Sequence, residues 1–168
     1  MNGLREIEPG SIQDNVFRLI GQDWMLITAG TEESWNTMTA SWGGFGVLWN
    51  RQVTFCFVRP VRHTYRFTER HRLYTLSFFG PEHRDALQFC GSHSGRDVDK
   101  AAATGLKPVA GPDESIFFEQ ARLVLECRKL YHHDIEPAAF LDPSIETEYP
   151  DKDYHRMYVG EVVRCLAR

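Results

Sequence analysis

The stretch WMLITAGTEESWNTMTASWG, residues 24–43, decides the fold because it contains two extended segments separated by a short polar turn. The first segment, WMLITAG at 24–30, is apolar and predicts a strand. The TEES turn follows, and NTMTASWG at 36–43 predicts the partner strand. Strands joined by so short a turn run antiparallel, so this stretch predicts a β-hairpin.

Further strands and short helices are predicted on both sides of this hairpin. Strands are predicted over 52–59, 72–79, 121–131 and 155–166. Helices are predicted over 13–20, 61–70, Pro81 to Cys90 and 95–104, with Gly21, Gly91 and Gly105 following three of them. Successive strands lack the intervening helices of a Rossmann sheet. We therefore predict a mainly β antiparallel barrel with short helices, formed as a single domain over residues 1–168.

Three local patterns add detail to this prediction. The glycine-rich residues 43–46 indicate a mobile loop, or room for a ligand to approach the backbone. Ser94 and Asp97 have the spacing of a capping box and predict the start of the 95–104 helix. In 121–131, apolar residues alternate with charged residues such as Glu126, which predicts one buried face and one solvent-exposed face.

Composition limits the classes of function. The 168 residues carry a net charge of −4 at pH 7 and no Lys/Arg-rich run, so nucleic-acid binding is not expected. Apolar stretches fall far short of the roughly 20 residues that a membrane span needs. The charged N-terminus does not resemble a signal peptide, so we expect the cytoplasm as the compartment. Four widely spaced cysteines without a C-x-x-C pair predict buried structural thiols.

A row of hydroxyl groups is the first candidate binding feature. In the 36–43 strand, Thr37, Thr39 and Ser41 share one face, whereas Met38, Ala40 and Trp42 share the other. The hydroxyl row either faces solvent or, together with the strand backbone, contacts a polar planar ligand. A buried hydroxyl group without a partner would cost about 1–3 kcal/mol.

Two further segments could bind an anion. In FVRPVRHTY (57–65), Arg59 ends a strand before Pro60, and a helix with Thr64 in its first turn begins just afterwards. The alternative is a surface arginine paired with a carboxylate. In CGSHSGRDVDK (90–100), serine and glycine residues precede a helix that carries Lys100. This segment is either a second anion site or simply a capped helix.

Histidines are the candidate metal ligands. Adjacent residues of a strand point to opposite faces, so His132 and His133 would not chelate one ion, and we expect them at a solvated loop end. His155 begins the last strand and is expected to be structural. We predict no metal site, and a metal-dependent enzyme using these three histidines remains a third-ranked hypothesis.

Five blocks, taken in order, resemble the flavin reductase family with the FMN-binding split barrel, of the flavoredoxin-like kind. The resemblance covers roughly residues 20–165. The blocks are NTMTASWGG (36–44), FVRPVRHTY (57–65), LSFF (76–79), CGSHSGRDVDK (90–100) and YHRMYVGEV (154–162).

The resemblance implies an FMN-binding homodimer and assigns a set of binding residues. It places one group along the isoalloxazine ring: Asn36, Thr37, Met38, Thr39, Ser41 and Trp42. It places a second group near the phosphate: Arg59, Thr64, Tyr65, Ser92, Ser94, Gly95 and Lys100. His155 resembles the histidine of a G-D-H motif near the nicotinamide, but here the motif is Asp153-Tyr154-His155, which lacks the glycine and has an inserted tyrosine.

The function implied is electron transfer from NADH or NADPH to flavin, or through bound FMN to an acceptor. The alternative, favoured by the altered motif at His155, is a flavin-binding electron carrier or sensor without a nicotinamide site. The flavin supplies the redox chemistry in both cases, so the absence of a catalytic triad motif is expected.

Overall fold

The structure is a computed structural model that describes residues 3–168. These residues form ten strands and four α-helices. The strands are β1 (Arg5–Glu6), β2 (Met25–Thr31), β3 (Ser34–Ala40), β4 (Gly43–Leu48), β5 (Arg51–Val58), β6 (Leu73–Phe78), β7 (Pro108–Ala110), β8 (Ile116–Phe118), β9 (Leu123–Asp134) and β10 (Arg156–Ala167). The helices are α1 (Val16–Arg18), continued by a π-helical segment (Leu19–Asp23), α2 (Thr64–Arg70), α3 (Arg84–Ser92) and α4 (Lys100–Thr104).

One antiparallel sheet forms the barrel. Its strand order is β3-β2-β6-β9-β10-β5-β4, with β1 added to β10, whereas β7 and β8 form a separate pair. The predicted hairpin is β2–β3, in which Thr28 lies opposite Thr37. Within residues 3–168, β3 and β4 end the strand order and do not pair with each other, so the barrel is split there. The prediction of a mainly β antiparallel barrel with short helices is confirmed.

Side chains fill the interior of the barrel. Tyr74 is buried, and its hydroxyl group lies 2.7 Å from the Thr54 hydroxyl group, which in turn donates to Cys127. A Cβ added at Gly160 would lie 2.7 Å from Cζ of Tyr74, so the ring needs a glycine opposite it. All four cysteines are buried free thiols, as predicted (Cys56, Cys90, Cys127 and Cys165).

Several predicted helix boundaries were wrong. The first helical segment begins after its cap Asn15 and continues through Gly21 to Asp23. Gly91 lies inside α3 rather than at its end. The helix predicted over 95–104 begins at Lys100, where the Asp99 carboxylate accepts from the backbone N–H of Ala102. The end at Gly105, with a φ of 71°, is confirmed, and so is the end of the helix predicted over 61–70, although that helix begins at Thr64.

Three strand predictions also need correction. The glycine-rich residues 43–46 form most of β4 and not a loop. Glu126 is buried, although it lies on the face predicted to be exposed to solvent. Its carboxylate accepts hydrogen bonds from Ser115 and Arg164, which compensate for the loss of water. His132 and His133 lie within β9, exposed, rather than at a loop end. In residues 3–168, no helix combines the length and hydropathy that a membrane crossing requires.

Candidate functional site

Three of the predicted segments meet beside the edge strand β3. The Asn36 amide donates to the Thr64 hydroxyl group of α2 at 2.7 Å, and both side chains are buried. Gly95 packs directly on Asn36, since a Cβ added there would lie 2.8 Å from Cγ of Asn36 and closer still to Oδ1. The 36–42, 59–65 and 92–100 segments therefore form one site, beside an open cleft of about 490 Å³.

Lys100 lies at the centre of this junction. It is only 5% exposed, and its ammonium group donates to the backbone carbonyls of Thr37 and Cys90, both at 2.8 Å. Burial lowers the pKa of Lys100 from its ordinary value of 10.5 to about 8. Within residues 3–168 this buried cation has no carboxylate partner.

The predicted hydroxyl row is bonded mostly to protein. The Thr37 hydroxyl group lies 2.8 Å from that of Thr28, and the Thr39 hydroxyl group donates to the Leu87 carbonyl. Ser41 follows the end of β3 and is partly exposed. Met38, on the other face, packs in the core. Asn36, Thr37 and Met38 are only 6%, 1% and 5% exposed, so a ligand would meet the strand at its exposed end, where Ser41 and Trp42 lie.

Three cationic or titratable residues missed by the sequence analysis lie at the same junction. The Arg62 guanidinium group lies 3.5 Å from the Cys90 carbonyl, and that of Arg96 lies 3.5 Å from the Val61 carbonyl. Neither arginine forms an ion pair within the described chain. The Nδ1 atom of His63 is buried without a hydrogen-bond partner among residues 3–168. Burial lowers the pKa of Arg62, with a smaller effect of Arg59, and burial together with Arg96 lowers that of His63.

This charge pattern fits an anionic group. Like-charged side chains that depress one another's pKa are stabilised by a bound anion. A phosphate would also supply acceptors for the guanidinium groups. Arg62 and His63 could have been found in the sequence, because they belong to the same FVRPVRHTY block as Arg59.

Arg59 itself is held by a carboxylate, which was the alternative considered for it. Its guanidinium group donates to both oxygens of Asp153, at 2.8 and 3.1 Å, and to the Glu148 carbonyl at 2.9 Å. It lies over the rings of Tyr149 and Trp42, at 5.1 and 6.0 Å from their centroids. Arg59 thus fixes the 148–153 segment beside the end of β3.

His155 lies in the aromatic wall next to Arg59. It is 7% exposed, its Nδ1 atom is 2.9 Å from the Tyr149 hydroxyl group, and its ring centroid is 5.0 Å from that of Trp42. Burial, with a smaller contribution from Arg59, lowers the pKa of His155 from 6.5 to about 4. The imidazole is therefore neutral near pH 7. Trp42 is 40% exposed and presents its indole to solvent at this point.

Other predicted site residues make local contacts. The Ser92 hydroxyl group donates to the Gln88 carbonyl at 3.0 Å, and the Ser94 hydroxyl group accepts from the Arg96 backbone N–H at 3.2 Å. Tyr65 packs against the barrel core, and Arg156 lies over its ring. In residues 3–168, no group of three or more His, Cys, Asp or Glu side chains is arranged to hold a metal ion.

Taken together, the site has the exposed end of β3, an exposed indole and three cations (Arg62, Arg96 and Lys100) that form no ion pair within residues 3–168, beside a cleft that Glu33, Asp97 and Asp99 also line. Such an arrangement can bind a flat polar ring system that carries an anionic tail.

Comparisons with known proteins identify the family and the fold. The family model described as "Flavin reductase like domain" matches residues 17–168. No curated protein matches the sequence closely enough to count as a relative.

Solved structures with low sequence identity share the fold. An FMN-binding protein from Thermus thermophilus with bound p-hydroxybenzaldehyde is 22% identical, with a TM-score of 0.69 over 98% of this chain and 82% of that chain. Flavoredoxin of Desulfovibrio vulgaris (Miyazaki F) is 19% identical, with a TM-score of 0.69 over 98% and 77%. The NADH:FAD oxidoreductase of Streptomyces globisporus C-1027 is 16% identical, with a TM-score of 0.65 over 85% and 73%. Because the family model spans nearly the whole chain, this protein belongs to the flavin reductase-like domain family and has its split-barrel fold.

Proposed function

We propose that this protein is an FMN-binding oxidoreductase that transfers electrons from NADH or NADPH to flavin, or through bound FMN to an acceptor. Family membership supports flavin binding. The observation that carries the proposal is the group of Arg62, Arg96 and Lys100 beside β3, in which no guanidinium or ammonium group forms an ion pair within residues 3–168.

In this proposal the two ends of the site have different tasks. Arg62, His63 and Arg96 face the phosphate, whereas the exposed end of β3 and the Trp42 indole orient the ring. The flavin, when bound, supplies the chemistry of accepting and passing on a hydride. Backbone N–H groups fixed along the strand stabilise negative charge on the ring without reorganising, because the sheet already holds them in place.

The phosphate end can be tested with a pair of flavins that differ only in the phosphate. In the double variant Arg62→Gln/Arg96→Gln, FMN should bind at least roughly thirtyfold more weakly, since two charge-assisted hydrogen bonds are lost. Riboflavin, which has no phosphate, should bind as it does to the native protein. Arg70→Gln, an exposed arginine at the end of α2, is the control. An equal loss for both flavins would show that these arginines do not bind the phosphate.

Electron donation by a nicotinamide requires its own experiment. Purified protein should be yellow, and its absorbance near 450 nm (about the flavin maximum) should bleach under argon when NADH or NADPH is added. If neither nucleotide bleaches the bound flavin but dithionite does, the nicotinamide part of the proposal fails.

A flavin-binding electron carrier without a nicotinamide site is the second candidate. It is favoured by the aromatic residues that bury His155. The Tyr149 hydroxyl group hydrogen-bonds to Nδ1 of His155, and the ring centroid of the inserted Tyr154 lies 4.9 Å from that of Tyr149. Reduction only by a partner protein or dithionite would identify this function. A homodimer in the cytoplasm also remains a prediction, and light scattering of the purified protein would test the dimer.

A further inference from the structure

A second open cleft, of about 600 Å³, lies between the π-helical segment (Leu19–Asp23), the turn that follows β6 and the start of α3. Its volume is in the range of clefts that bind small organic molecules. Its described lining residues include none of those assigned above to the flavin. The cleft is therefore a separate feature of the surface.

The charged side chains of this cleft leave one cation without a counterpart. Asp14 pairs with Arg122 at 2.7 Å. Asp23 lies 3.8 Å from Arg18 and 4.0 Å from Arg122. The third arginine that lines the cleft, Arg84, forms no ion pair within residues 3–168. Three arginines against two aspartates leave a single positive charge, and that charge is on Arg84.

The Arg84 guanidinium group is held in place on one side only. Its central carbon lies 3.2 Å from the centroid of the Trp24 ring, and Nη1 donates to the Gln22 carbonyl at 2.5 Å. The Nε and Nη2 atoms make no hydrogen bond to any other described residue. These two nitrogens carry the parallel N–H groups with which arginine binds both oxygens of a carboxylate. Arg84 is therefore preorganised for such a ligand.

The backbone next to Arg84 has an uncommon conformation. Trp24 follows the π-helical segment and has φ 69° and ψ 168°, a region that glycine adopts and other residues rarely do. Gln22 and Asp23, whose carbonyls accept from Arg84, belong to the π-helical segment itself. Both π-helical turns and strained backbone recur at functional sites. Here they occur in the residues that fix the unpaired guanidinium group.

We propose that this cleft is a second binding site, which takes a small organic monoanion with a carboxylate group and an apolar body. Arg84 binds the carboxylate through Nε and Nη2, and the apolar body lies toward Leu19, Phe79 and Leu87, which line the cleft. One uncompensated positive charge suits a monocarboxylate better than a phosphate monoester, which carries about two negative charges near pH 7. This site does not depend on the proposed flavin site.

The first experiment compares three probes on the native protein by NMR titration. Benzoate has both the carboxylate and the apolar ring, benzamide lacks the charge, and acetate lacks the ring. Benzoate should bind about tenfold more tightly than either of the others and should shift the Nε–H signal of Arg84 and the indole N–H signal of Trp24. Absence of these shifts would overturn the proposal. Equal affinity of benzoate with benzamide, or with acetate, would do the same.

The second experiment removes the cation. Arg84→Gln should weaken benzoate binding about tenfold and abolish the preference for benzoate over benzamide. Arg66→Gln is the matched control, because it removes the same charge from an exposed helical position that does not line the cleft. An equal loss of benzoate affinity in both variants would show a response to net charge alone and would overturn the site.

The flavin provides a further discriminating test. Saturation with FMN should leave benzoate binding unchanged, whereas competition would make the cleft part of the flavin site and overturn the proposal. The benzoate titration gives its result even if the protein proves not to bind flavin, so the two proposals can fail separately. If Arg84→Gln does not fold, the comparison of benzoate with benzamide on the native protein decides the question.

Discussion

The contact between Gly95 and Asn36 yields the sharpest prediction about the site. Gly95 does not have a left-handed φ, so alanine is compatible with the backbone there and any cost is steric. The added methyl group would lie 2.8 Å from Cγ of Asn36 and must displace that side chain. Displacement breaks the 2.7 Å hydrogen bond to Thr64, which is 1% exposed, and leaves two buried polar groups unpaired.

We therefore expect Gly95→Ala to lower the free energy of unfolding by about 2 kcal/mol, the cost of an unpaired buried polar group. FMN affinity should fall roughly tenfold in the same variant, because Asn36 lies in β3 (Ser34–Ala40), whose end orients the ring in the proposed function. Urea denaturation and flavin fluorescence titration measure the two effects. Gly21→Ala is the control, since a methyl group at that position meets nothing within 4 Å. If Gly95→Ala matched Gly21→Ala in both measurements, the packing argument would be refuted.

Three other predictions concern titration and reactivity. Because the pKa of His155 is lowered to about 4, the unfolded chain takes up a proton first on acidification. The contribution of neutral His155 to the free energy of unfolding should thus be complete above pH 6.5 and decrease toward pH 4. Urea titrations at each pH should show this decrease in the native protein and not in His155→Phe. Arg59→Gln should raise the pKa of His155 in NMR titration while leaving it below 6.5, since burial, the larger cause, remains. The four cysteines, buried and with raised pKa values, should resist a thiol reagent in the native protein and react fully in denaturant.

Local sequence patterns predicted the part of the fold that depends on neighbouring residues. The β2–β3 hairpin was evident because both strands and their turn lie within one short stretch. Strand β4 was missed because glycine is depleted in strands and the residues of its turn to β5 are unusual. Trp49 and Asn50 adopt φ values of 53° and 56°, where glycine would be expected at one position or both.

The site was predictable to a similar degree. Asn36, Thr64, Gly95 and Lys100 were selected from the resemblance, and the structure brings them together. The carboxylate partner of Arg59 lies 94 residues away in sequence, so no local pattern could identify it. Burial of Lys100 was equally unpredictable, because lysine is rarely buried and the carbonyls that bind it come from two separate elements.

The side chains that fill the interior of the barrel determine where a ligand can bind. With the Tyr74 ring against Gly160 and its hydroxyl group bonded to that of Thr54, residues 3–168 enclose no central chamber of the kind that holds a small ligand in other barrels. Under the proposed function the flavin would therefore bind on the outside of the barrel, beside the end of β3. Exchange of a flavin bound there would then leave the packed interior of the barrel unchanged.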